Sequence, residues 1–248
     1  MGKNKLKKFA EMKHFRCVVE APGQMIKDID HELKGNWNEM HFHSDSPLVL
    51  ELGCGKGEYT VGLARRNPDK NFLGIDIKGA RIYTGAKTVE EEHIPNAGFL
   101  RTQIESLPRF FAPGEVSELW ITFPDPQLKK TNKRLTSTRF LNYYRNFMPE
   151  TGIVYLKTDS PFLFEYTRRL VKENKLDLIF LTEDLYSIEK PMLEKDIKTF
   201  YEQQWLSRGK TIKLLKFRLG SSTLKEPDVA DLIPDDYHAA ARFNRSSD

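Results

Sequence analysis

The 248-residue sequence predicts an α/β fold built on a seven-stranded, mostly parallel, doubly wound sheet. Three observations carry this. Apolar runs recur with longer mixed segments between them, the mixed segments hold helix-start signals such as Pro161, and a glycine-rich turn follows directly on the first strong apolar run. Parallel neighbours need a crossover, so strands alternating with helices put helices on both faces of the sheet.

The strand segments are 48–52, 72–76, 98–101, 118–123, 153–157, 176–181 and 212–219, and the helical ones are 59–66, 79–92, 137–148 and 161–172. The last two strands are joined by a longer excursion through Tyr186 to Arg208. Residues 47–219 therefore form one domain. Residues 1–46 are a basic N-terminal extension whose later part, with Trp37, Met40 and Phe42, is apolar enough for a partial cap. Residues 220–248 are a C-terminal extension with few large apolar groups, and mobility is expected there.

Composition narrows the class. No apolar run approaches a membrane span and no apolar stretch follows the lysine-rich N-terminus, so a soluble, cytoplasmic protein is expected, with no membrane partner. Cys17 and Cys54 are too few for a disulfide framework or a zinc cluster, which suits a reducing compartment. His41 and His43 alternate without acidic or cysteine partners nearby, so no metal is expected. The net charge of +4 is unevenly spread: Lys3, Lys5, Lys7, Lys8, Lys13 and Arg16 crowd the start, and Lys129, Lys130, Lys133, Arg134 and Arg139 form a second cluster. Both clusters suit a polyanion, and both are equally what a solvated tail and a charged loop look like.

The glycine turn reads Glu51-Leu-Gly-Cys-Gly-Lys-Gly57. Gly53 and Gly55 let a ligand approach the backbone, and Asp76 closes the next strand about twenty residues on, where a carboxylate accepts from both hydroxyls of a ribose. Lys56 is followed by Gly57 and not by Ser or Thr, which disfavours a triphosphate loop. Glycines spaced Gly-x-Gly-x-Gly, with Glu58 at the helix start, disfavour a pyrophosphate. Glu51 suits a cationic amino-acid tail. These features point to S-adenosylmethionine, ahead of a dehydrogenase-like site or a purely structural turn, and the long excursion suits the methyltransferase variant of the Rossmann-like fold.

In an open parallel sheet the ligand crevice lies beyond the strand C-termini. There the fourth strand of the pattern runs into Phe123-Pro-Asp-Pro-Gln-Leu-Lys-Lys130, where two prolines stiffen a turn presenting Asp125. A proline-rich turn with a capping aspartate is nearly as good a reading. The downstream cations favour a nucleotide inside a phosphate backbone. Lys157-Thr-Asp159 lies at the next strand end, and Thr199 and Glu202 stand three apart, either sharing a helix face or forming a capping box.

With these residues assembled, the chain resembles the bacterial tRNA (guanine-N7-)-methyltransferase family. Matching pieces are Glu-Leu-Gly-Cys-Gly-Lys-Gly at 51–57, Gly-Ile-Asp at 74–76, Pro-Gly-Glu-Val at 113–116, Phe-Pro-Asp-Pro at 123–126, Lys-Arg-Leu-Thr at 133–136, Lys-Thr-Asp at 157–159 and Thr-x-x-Glu at 199–202. The resemblance implies methyl transfer from S-adenosylmethionine to N7 of a guanine in the variable loop of tRNA, position 46. It implies cofactor roles for Glu51 and Asp76, with Gly53 and Gly55 beneath, a catalytic or base-binding role for Asp125, and substrate contacts at Lys129, Asp159, Thr199 and Glu202. Gln103 falls where an amide contact to adenine is expected. Two departures stand out: Gln127 and Leu128 replace the family's usual Trp-Pro, and the basic segment is shorter by about two residues. A monomer and a homodimer are both compatible with the sequence.

Overall fold

The computed structural model describes residues 2–23, 29–233 and 235. Its centre is one sheet of eight strands: β1 (Val18–Glu20), β2 (Leu48–Leu52), β3 (Asn71–Asp76), β4 (Ala97–Arg101), β5 (Val116–Thr122), β6 (Ile153–Thr158), β7 (Leu178–Thr182) and β8 (Lys213–Arg218). The order is β1-β4-β3-β2-β5-β6-β8-β7, parallel except for β8, which runs antiparallel to both its neighbours. All seven expected strands are present.

The eighth corrects the count. β1 pairs Val18, Val19 and Glu20 with Phe99, Leu100 and Arg101 of β4. Three residues give no periodicity of their own, so this strand exists only because β4 offers a free edge.

The helices are α1 (Gly2–Met12), α2 (Glu58–Arg66), α3 (Gly79–Glu92), α4 (Thr138–Tyr144), α5 (Pro161–Glu173), α6 (Leu193–Asp196) and α7 (Phe200–Ser207). Side chains alternate across the sheet, so Leu48, Leu50 and Leu52 of β2 join one core with Phe140, Tyr144 and Leu163, while Val49 joins the other with Tyr59, Phe72, Ile82 and Phe99. Glu51 shares Val49's face, which brings it under α2. At about 25 cal/mol per Å² of apolar surface removed from water, these two layers are the main source of stability.

α1 lies against α3: Met12 is buried, Phe9 sits beside Gly79, and Tyr83 donates to Glu11 at 2.8 Å. Trp37 opens a π-helical turn (Trp37–Phe42), fully buried, its Nε1 donating to the Phe110 carbonyl at 2.8 Å. Over its described part the C-terminal extension lies along α4 and α5. Glu226 accepts from Thr138 N at 2.9 Å and Tyr166 Oη at 2.5 Å, and Arg169 pairs with Asp231 at 2.6 Å. Residues 234 and 236–248 of that extension lie outside the described residues. No described helix is long and apolar enough to cross a membrane.

Candidate active site

From β2 the chain winds one way through β3 and β4 and the other way through β5 and β6, so the sheet reverses between β2 and β5. A reversal leaves a crevice at the strand C-termini, because the two connections leave on opposite sides. A cleft of about 290 Å³ lies there, lined by Gly53, Asp76, Arg81, Phe123, Asp125 and Lys133 among others.

The glycine turn forms its floor. Gly53 and Gly55 have φ of 72° and 57°, and a Cβ at either would meet nothing closer than the Gly53 carbonyl at 3.9 Å. They border open space at a conformation side chains avoid, which is the form of a backbone cradle for a ligand. Gly57 is different: a Cβ there would lie 2.6 Å from the Phe99 ring, so this glycine serves helix-to-sheet packing. Asp76 accepts from Gly55 N at 3.1 Å through one oxygen and from Lys78 N at 2.8 Å through the other. Each carboxylate oxygen keeps a lone pair for a ribose hydroxyl.

Glu51 is only 4% exposed. Thr60 of α2 and Thr122 of β5, the latter at 2.7 Å, donate their hydroxyls to its two oxygens. Burial pushes its carboxyl up to about 7 despite those two bonds. A buried carboxylate so poised gains a partner when a cationic group arrives above it. Gln103 is exposed and precedes the turn Ile104–Arg109, two residues beyond Arg101, the register partner of Asp76. The open glycines, the half-used Asp76 and the buried Glu51 fit the adenosyl and amino-acid parts of S-adenosylmethionine.

On the opposite wall Asp125 is exposed, one oxygen accepting from Gln127 N at 2.9 Å. Lys133 lines the same cleft, and Lys129, Lys130, Lys133 and Arg139 are all exposed. Arg134 departs from the sequence expectation of a cationic surface, being 2% exposed beneath the loop.

Of the sequence candidates, Gly53, Asp76 and Asp125 line the cleft, while Glu51, Gly55, Gln103, Lys129, Asp159, Thr199 and Glu202 lie outside its lining. Asp159 follows β6, is buried, and pairs with Lys210 at 3.4 Å; burial raises its carboxyl pKa against the pull of that lysine. Thr199 caps α7, its hydroxyl accepting from Glu202 N at 3.1 Å. The Glu202 side chain turns inward, pairs with Lys157 at 2.7 Å and accepts from Tyr186 Oη at 2.7 Å. Lys157 and Glu202 are both fully buried, and burial lowers the Lys157 pKa against the pull of Glu202.

Sequence reading missed Thr60, Thr122 and the Lys157 clamp, which also donates to the carbonyls of Glu194 at 2.5 Å and Ile197 at 3.2 Å. A hydroxyl at each element end facing one strand carboxylate was a usable signal. The lysine partner was not, since 45 residues separate it from Glu202.

A parallel sheet with an antiparallel final pair, an open glycine cradle at its reversal point and a ribose-ready carboxylate define an S-adenosylmethionine-dependent methyltransferase. Residues 45–215 match the family model described as a putative methyltransferase. The chain is 51% identical over 247 residues to the tRNA (guanine-N(7)-)-methyltransferase of Bacteroides fragilis, covering 99% of this chain and 98% of that protein. It is 54% identical over 242 residues to that of Porphyromonas gingivalis, covering 95% and 98%. It belongs to the tRNA (guanine-N(7)-)-methyltransferase family. Among solved structures, the 16S rRNA methyltransferase KamB superposes with a TM-score of 0.57 at 17% identity, covering 76% of this chain and 95% of that one, a likeness of fold.

Proposed function

We propose that this chain methylates N7 of a guanine in the variable loop of tRNA, position 46, with residues 47–219 carrying the transfer, 1–46 as a basic extension and partial cap, and 220–248 as a C-terminal extension. The observation that carries the reading is Asp125 on the rim of the cleft that Gly53 and Asp76 floor, with exposed lysines beside it. S-adenosylmethionine supplies an electrophilic methyl on a sulfonium.

Guanine N7 has an in-plane lone pair and no proton at neutral pH, so the nucleophile needs no general base. With S-adenosylmethionine bound, N7 would accept the methyl carbon and the neutral thioether would leave with the carbon–sulfur electron pair. Asp125 accepts from the N1 and N2 edge of the base, aligns the ring and offsets the positive charge growing on it. Asp76 holds ribose hydroxyls, Gln103 the adenine, and Glu51 faces the amino-acid tail. Lys129, Lys130 and Lys133 take phosphates, offsetting the few kcal/mol needed to expose the base. Asp159, which follows β6 and pairs with Lys210, and Thr199 and Glu202 at α7, the latter paired with Lys157 of β6, shape the substrate side.

The test is labelled methyl transfer onto bulk tRNA followed by mapping of the modified base. The expected product is 7-methylguanine at position 46; label at another base, or none, defeats the reading.

A further inference from the structure

We infer that Arg134 is a positioning residue that fixes, from beneath, the loop presenting Asp125. By sequence it belongs to a cationic run facing RNA; by geometry it does not. Its guanidinium donates through Nε to the carbonyls of Pro126 at 3.3 Å and Gln127 at 3.2 Å, through Nη2 to that of Leu128 at 2.9 Å, and through Nη1 to Thr131 Oγ1 at 3.1 Å. On its other side it lies 4.8 Å from the Phe162 ring and 4.6 Å from the Tyr166 ring of α5. No described ion pair includes it. Its charge is met by carbonyl dipoles and ring faces, and at 2% exposure it is closed to a phosphate.

The loop needs such a clamp. Phe123 and Gln127 bracket Pro-Asp-Pro with φ of 48° and 49°. A non-glycine residue in that region costs roughly 1–3 kcal/mol and persists only where the surroundings over-determine it. Pro124 and Pro126 have no N–H with which to bond the loop to its neighbours. Consecutive carbonyls at 126, 127 and 128 all accept from one planar fork held flat against rings of a core helix, and among the described residues only that of Gln127 has a backbone donor besides, Lys130 N at 3.0 Å. A lysine ammonium cannot reach the three carbonyls together or stack as a plane. The same loop carries the Gln127 N–H that holds one Asp125 oxygen, so the path from α5 to the carboxylate is continuous.

The activity arm of the test rests on the tRNA reading; the exchange arm does not. Arg134→Gln and Arg134→Lys are compared with wild type and with Lys133→Gln. Turnover at saturating tRNA, tRNA affinity against salt, and amide hydrogen exchange over residues 127–131 and α5 are measured. Arg134→Gln should lower kcat by 10- to 100-fold, since a displacement of about 1 Å costs that much. It should leave KM for tRNA and the salt slope unchanged and speed exchange at Gln127 to Lys130 while α5 stays protected. Arg134→Lys should not restore turnover, and Lys133→Gln should flatten the salt slope by about one. If Arg134→Gln does not fold, Thr131→Val removes one of the bonds and should give faster loop exchange with a several-fold loss of kcat. A salt slope lowered by Arg134→Gln at full kcat, or loop exchange unchanged in a folded variant, overturns the inference. Wild-type protein inert toward tRNA defeats the functional reading alone, because loop exchange still decides the role of Arg134.

Discussion

The two walls of the cleft are built by different means. The glycine turn 53–57 offers bare backbone to the cleft, each glycine's role set by its own φ and by the space above it. The loop 123–128 presents a side chain from a strained backbone, and its shape depends on Arg134, several residues downstream. A wall made of backbone is specified locally, while a wall made of a held loop is specified by whatever holds it. The first suits a cofactor bound alike in every turnover. The second suits an acceptor that must be aligned within a fraction of an ångström.

The sharpest way to break this comparison is at Asp125. Asp125→Asn should cost about 100-fold in kcat at saturating substrates while leaving S-adenosylmethionine affinity within twofold, since the amide cannot offset the charge developing on the base. Near-normal turnover would remove Asp125 from the mechanism.

Next in size is the contrast within the turn. Gly57→Ala drives a Cβ into the Phe99 ring at a positive φ and should destabilise the fold by about 2–3 kcal/mol. Gly53→Ala meets no protein atom within 4 Å, so its fold should lose only about 1 kcal/mol while cofactor affinity falls further. Thermal unfolding with and without S-adenosylmethionine separates the two, and equal losses of stability would erase the distinction.

A third effect is pH-dependent. The folded carboxyl of Glu51 titrates at about 7 against an ordinary 4.5, so the folded state holds a proton the unfolded chain has released. Apo stability should accordingly fall as pH rises from 4.5 to 7. Affinity for the cationic cofactor should move the other way, rising as pH climbs through 7 by up to tenfold per unit below it. Calorimetric titration from pH 5.5 to 8.5 checks this; an identical profile in Glu51→Gln would show that another group is responsible.

The smallest expected change is on the rim. Lys129→Gln and Lys133→Gln should each weaken tRNA binding a few-fold at moderate salt and lower the salt slope by about one. Unaltered slopes in both would move the phosphate track elsewhere, with the lysine-rich N-terminal segment next in line.

Much of this was legible beforehand because the signals are short-range. Leu48 to Leu52 alternates between two buried faces, Gly53 and Gly55 announce positive φ, and Asp76 closes a strand at a fixed interval, so each is a property of a few adjacent residues. β1 escaped notice because three residues make a strand only beside a ready edge. Thr199 and Glu202 were seen as a pair, yet the inward turn of Glu202 depends on Lys157 from another element.

Arg134 marks the boundary most clearly. Its neighbours Lys129, Lys130 and Lys133 look the same in sequence and lie in solvent, whereas Arg134 is drawn under by three carbonyls and two rings from α5. Sequence alone determined the alternation of elements, the glycine cradle and the carboxylates at the strand ends, because backbone sterics and burial period act over a few residues. Which cation stays in solvent and which is drawn beneath a loop was decided only by tertiary structure, because the partners that desolvate a charge are brought together by the fold.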